Sequence, residues 1–172
     1  MWGGVICHDL GIRFNSPFIN LWLYPKDFIK FCSNPRHYTT CGLHFLSNNK
    51  KEFSYPIALL DDITIYFMHY NSEEEAERCR NERISRINYN DIRCILVERD
   101  GCTYEDLIEF SKLPYPTAAL THKTYKNIMC SNYIRGFESN NEVGDIIPLK
   151  TDLFSGHRYL DDFDFVNFLN KQ

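Results

Sequence analysis

Apolar and polar positions along the chain fall into short blocks that switch between strand-like and helix-like spacing. Residues 18–24 form an aromatic, apolar run behind Ser16-Pro17 and predict a strand. Pro25 suits a first helical turn, which Asp27, Phe28, Ile29 and Phe31 continue until Asn34-Pro35 stops it. Residues 43–46 predict another strand, and residues 48–51 (Asn-Asn-Lys-Lys) a polar turn. Residues 62–70 (DITIYFMHY), rich in β-branched and aromatic side chains, predict a buried strand.

A helix signal follows. Ser72 and Glu75 have capping-box spacing, with acidic residues at the start of the segment and arginines in its second half. Glu74–Arg78 and Glu82–Arg86 are expected as pairs along it. Ala76, Cys79, Arg83, Ile84 and Ile87 leave only a thin apolar stripe, so it is expected on the outside. Residues 92–98 (IRCILVE) predict a strand, Thr103 and Asp106 cap a helix reaching Ser111, and residues 117–120 predict the next strand. Residues 133–137 offer one more strand. Residues 159–169 (YLDDFDFVNFL) have the spacing of an amphipathic terminal helix.

This alternation predicts an α/β fold: a layered, largely parallel or mixed central sheet with helices on both faces. The length of 172 residues fits a single domain. Composition narrows the class. At 44% hydrophobic and 15% aromatic, the chain has enough apolar mass for a core and is not a disordered tail. Its net charge of −4 argues against coating nucleic acid or anionic lipid. No apolar run reaches the ~18 residues of a membrane span, although peripheral association stays open. Seven cysteines without a CxxC pair, and no signal-peptide pattern ahead of them, read as reduced thiols of a cytoplasmic protein.

Candidate chemistry follows from the rule that open α/β sheets bind ligands beyond the carboxyl ends of their strands. Arg99, Asp100 and Gly101 lie in one such loop. Asp100 is a candidate base and Arg99 a candidate phosphate ligand; the plain alternative is a βα turn in which Asp and Gly serve geometry. His122 and Lys123 follow the next strand, as candidate acid or base and phosphate ligand respectively. Near the start, Gly3 and Gly4 would allow close backbone approach to a ligand, with His8 and Asp9 as candidate titratable groups. Arg158 could meet an anion or pair with a neighbouring aspartate. Asp161, Asp162 and Asp164 read as a solvated face, and no metal site is expected.

The order Trp2-Gly3-Gly4, His8-Asp9-Leu10-Gly11, Ser16-Pro17, Asn20, Asp27-Phe28, Tyr55-Pro56, His69-Tyr70, Arg99-Asp100-Gly101-Cys102, Leu113-Pro114, Thr121-His122-Lys123, Gly136-Phe137, Val143-Gly144-Asp145 and Phe154-Ser155-Gly156 resembles a bacterial family known as domain of unknown function 1919. Its members are often labelled exopolysaccharide biosynthesis proteins. The resemblance implies a role in exopolysaccharide or surface-glycan biosynthesis. An enzyme on this reading transfers a glycosyl or other group, with a sugar nucleotide or glycan as substrate and no cofactor specified. The alternative is a non-catalytic glycan- or nucleotide-binding accessory protein of a polysaccharide-synthesis complex. Members resemble a chain with a further N-terminal strand ahead of Trp-Gly-Gly. The expectation is therefore a single domain, 1–172, short of that strand, with Trp2-Gly3-Gly4 in a ligand-facing loop.

Overall fold

A computed structural model describes residues 2–11, 13, 16–46, 53–150 and 156–170. It divides the chain into two compact units, Met1–Asp91 and Ile92–Gln172.

The first unit contains α1 (Trp2–Asp9), α2 (Pro25–Ser33), α3 (Pro35–Thr40), β1 (His44–Phe45), β2 (Ile57–Leu60), β3 (Ile63–Tyr66) and α4 (Glu73–Ile84). Its strands form an antiparallel sheet in the order β1-β2-β3. Leu60 pairs with Ile63 across the two-residue turn Asp61-Asp62, and Asp61 adopts a left-handed φ of 56°. Aspartate tolerates that conformation, and primed two-residue turns match strand twist. Ile63, Ile65, Leu60 and Ala58 point into a core with Phe31, Tyr38, Phe67 and Ala76.

The second unit contains β4 (Cys94–Val97), α5 (Tyr104–Ser111), β5 (Thr117–Thr121), β6 (Ser131–Tyr133), a 3₁₀ turn (Tyr159–Asp162) and α6 (Phe165–Asn170). Its strands are parallel, in the order β4-β5-β6. The predicted Thr103–Asp106 capping box forms in full at the start of α5. That helix buries Leu107 and Phe110 and packs on β5.

The α/β class therefore holds, but the described residues form two small sheets and not one central, largely parallel sheet. The reason lies at residues 57–66. The strand at 63–66 finds an adjacent partner through a tight hairpin, and this local closure sets an antiparallel pairing. Residues 18–24 are not a strand. Asn20 takes a left-handed φ of 62°, and only Trp22 joins the sheet, exchanging backbone hydrogen bonds with Tyr66 at 2.9 and 3.0 Å. The Gly3-Gly4 segment is helical and not a loop, and Gly4 sits against Ile19.

The terminal segment breaks in two. Leu160 is buried and its N–H donates to the Ile146 carbonyl, while Phe163 is extended between the 3₁₀ turn and α6. Asp164 then caps α6 by accepting from the Asn167 N–H at 2.9 Å. On α4, Ser72 accepts from the Glu75 N–H at 3.2 Å, but Glu75 accepts in return from Asn71. Arg78 donates to Glu82 at 2.8 Å, which also faces Arg86 at 3.8 Å. The inner face of α4 also carries Arg80, which lies outside the predicted stripe. Arg80 is buried and donates to the carbonyls of Tyr38 and Cys41 at the end of α3, 2.8 and 3.2 Å away. The predicted turn at residues 48–51 lies outside the described residues.

Candidate functional site

Because β4 and β5 run parallel, the residues that follow them emerge at the same sheet end. Glu98 follows Val97 on β4, and His122 follows Thr121 on β5. Both are buried: Glu98 is 2% exposed and His122 6%. Backbone bonds from the Glu98 N–H to the Leu120 carbonyl and from the Val143 N–H to the Glu98 carbonyl fix the carboxylate's base. Thr121 braces the loop behind His122, with its Oγ1 2.8 Å from the Lys123 carbonyl and 2.9 Å from the Ser131 hydroxyl.

The Glu98 carboxyl group gathers three groups. Oε2 accepts the His122 backbone N–H at 2.9 Å and lies 2.7 Å from His122 Nδ1. Nδ1–H is the tautomer assigned to match a carboxylate acceptor at Oε2. Oε1 accepts from the Tyr125 hydroxyl. A buried carboxylate is tolerated when its lone pairs are satisfied in this way. Burial, followed by the hydrogen bond to Glu98, raises the Tyr125 pKa, so this phenol remains a donor at neutral pH. With that tautomer, Nε2 is the ring atom that holds the free lone pair.

Around this pair stand a cation and two rings. Tyr104, at the start of α5 and exposed, lies with its ring 5.6 Å from that of Tyr125. Lys123 is exposed, with Nζ 5.2 Å from the centre of the Tyr125 ring. Such a combination suits a sugar or base face next to an anionic group.

The loop after β4 has a different character. Asp100 and Gly101 have φ of 57° and 79°, and the Cys102 N–H closes the turn on the Arg99 carbonyl at 3.2 Å. Two successive left-handed residues define a primed turn, which accounts for the Asp-Gly pair. The Asp100 carboxylate lies 3.2 Å from Arg99 Nε. Arg158 donates to Asp161 at 2.9 Å, the aspartate pairing that the sequence left open. His8 and Asp9, 3.4 Å apart on the exposed end of α1, belong to the other unit together with Gly3 and Gly4. The structure thus joins His122 to Glu98 and Tyr125, which sequence reasoning passed over. A charged residue closing the apolar run IRCILV was the available signal for Glu98.

Cys102, a partly buried thiol, stands beside this site. Burial first, then Asp106, Glu98 and Glu142, push its pKa from an ordinary 9.0 up to about 12. Since the folded pKa is raised, the associated stability is complete at neutral pH and is lost as pH rises toward that value. At pH 8 its thiolate fraction should be about a thousandfold below that of a thiol with the ordinary pKa. Iodoacetamide labelling followed by peptide mass spectrometry should find Cys102 among the slowest cysteines in the native chain. Rapid labelling comparable with that in denatured protein would contradict this burial.

The first unit presents an aromatic group of its own. The Trp22 ring lies 4.3 Å from Tyr24 and 4.7 Å from Tyr66, and Phe53 lies 6.3 Å from Tyr66 and 5.4 Å from Tyr55. Tyr24 is 49% exposed and Phe53 37%. No helix among the described residues is long and apolar enough to cross a membrane.

These features define a mixed α/β protein with a carboxylate–histidine–tyrosine cluster at the end of a parallel sheet. The chain belongs to the family described as Domain of unknown function (DUF1919), whose model matches residues 1–170. It is 40% identical over 169 residues to an uncharacterized protein of Haemophilus influenzae, an alignment covering 98% of this chain and 80% of the relative.

Proposed function

We propose that the parallel-sheet unit holds a transferase centre of cytoplasmic surface-glycan assembly, taking a sugar nucleotide as donor and a glycan hydroxyl as acceptor. The observation that carries this reading is the hydrogen bond between Glu98 and His122 Nδ1 at the carboxyl ends of β4 and β5. Glu98 orients the imidazole, and Nε2 removes the acceptor proton as its oxygen bonds to the anomeric carbon. The bond to the nucleoside diphosphate breaks, and the leaving group keeps the electron pair. Lys123, exposed beside Tyr125, offsets the charge that develops on it. Tyr104 and Tyr125 supply faces for the sugar or base. The His122 ring is 6% exposed, so on this reading substrate binding opens the Nε2 side of the ring to the acceptor. The glycan setting rests on the resemblance to proteins labelled for exopolysaccharide biosynthesis, and transfer of another group onto a glycan would use the same base.

A second reading is favoured by the partly exposed rings Trp22, Tyr24, Phe53, Tyr55 and Tyr66. In it the chain binds a glycan or nucleotide without turnover, as an accessory of a synthesis complex. A thermal-shift screen of sugar nucleotides, with and without divalent cations, tests the first reading. A ligand at about 100 times its Kd should add ~2.7 kcal/mol of stability. No stabilisation by any sugar nucleotide would remove that reading in favour of the second.

A further inference from the structure

We propose that His37, Cys41 and Asp61 form a binding site for Zn²⁺ in the first unit, separate from the Glu98–His122 cluster. His37 and Cys41 are four residues apart, on the last turn of α3 and its C-cap, so both project from one side of the helix end. Asp61 comes from the turn of the β2–β3 hairpin. Their nearest donor atoms all lie within 4.8 Å of one another. Cys41 Sγ is 3.7 Å from His37 Nε2, and His37 Nε2 is 2.7 Å from Asp61 Oδ2.

The donor set selects the metal. Thiolate, imidazole and carboxylate together suit zinc, whose bonds of about 2.0–2.3 Å place tetrahedral donors roughly 3.3–3.8 Å apart. The sulfur–nitrogen pair already has that spacing. The nitrogen–oxygen pair is closer, because a hydrogen bond occupies it, and has to open by about 0.7 Å to admit the ion. Asp61 and His37 side chains are about half exposed, at 52% and 45%, which leaves them room for this adjustment. The neighbouring anchor is firm: Asp62 accepts from the Tyr38 hydroxyl at 2.8 Å and from Lys30, tying the hairpin turn to α2 and α3.

Binding replaces the His37–Asp61 hydrogen bond with two bonds to the metal; Nε2 gives its proton to solvent, and the neutral ring carries its hydrogen on Nδ1. The Cys41 thiol forms a sulfur–metal bond and gives its proton to solvent. One thiolate and one carboxylate then balance the dipositive ion, and the imidazole is neutral. Three protein ligands leave the fourth position to water, the pattern of zinc sites that exchange ligands.

Cobalt(II) substitution tests the site on the whole chain. One equivalent of Co²⁺ should give intense tetrahedral visible bands and a thiolate-to-cobalt charge-transfer band. Cys41→Ser should abolish the charge-transfer band, and Asp61→Asn should weaken Zn²⁺ competition at least tenfold. In the unsubstituted chain, Zn²⁺ should protect Cys41 from iodoacetamide, an observation independent of whether the variants fold. Absence of the charge-transfer band, its survival in Cys41→Ser, or unchanged Cys41 labelling with Zn²⁺ would overturn the proposal.

Discussion

Replacing Glu98 with Ala should destabilise the chain by about 2–4 kcal/mol, measured as the loss of unfolding free energy in urea. Glu98 is 2% exposed and His122 6%, so water does not stand in as acceptor for the two His122 donors, while Tyr125 is only partly buried. The substitution leaves the His122 backbone N–H, His122 Nδ1 and the Tyr125 hydroxyl without their acceptor. An unsatisfied buried donor costs ~1–3 kcal/mol, and the penalties are not independent when one carboxylate serves three donors. Glu98→Gln keeps one oxygen acceptor and similar volume, so its loss should be smaller. A loss below about 1 kcal/mol for Glu98→Ala would mean that the cluster is solvated in a way its burial denies.

On the proposed transferase reading, His122→Asn should lower sugar transfer by about 10²–10⁴-fold while donor binding changes far less, the range typical of losing a general base. Asn is chosen because its amide nitrogen can occupy the place of Nδ1 and continue to donate to Glu98. Its side chain has no basic atom at the position of Nε2. Steady-state kinetics on the wild-type and substituted chains separate the two effects as a fall in kcat against a small change in KM. Retention of full kcat would take His122 out of the chemistry and leave it a buried structural histidine.

Locally encoded features could be read directly from the residues. The Pro25 start of α2, the Thr103–Asp106 box and the apolar strands β4 and β5 all depend on neighbours a few positions away. The failures share a nonlocal cause. Residues 18–24 have strand composition, but Asn20 is left-handed and Arg83 on α4 donates to the Ile19 carbonyl at 2.6 Å, holding the segment as a turn. The 159–169 pattern satisfied helical spacing, yet Leu160 is drawn to Ile146 and Phe163 turns extended. His122 could be chosen because it follows a predicted strand. Glu98 also closes a predicted strand, but its pairing with His122 could not be read, since it precedes it by 24 residues and only parallel pairing of β4 with β5 makes them neighbours. The metal-ligand trio was equally hidden: His37 and Cys41 share a helix end, but Asp61 reaches them only through the hairpin.

The site at the ends of β4 and β5 is tested most directly by mapping where a sugar nucleotide binds. Titration of ¹⁵N-labelled protein with the sugar nucleotide giving the largest thermal shift should perturb the backbone amides of Glu98, Tyr104, His122 and Tyr125 first. Shifts confined to Trp22, Tyr24 and Tyr66, with the four amides unmoved at saturation, would contradict the transferase centre and leave the aromatic face of the first unit as the binding site.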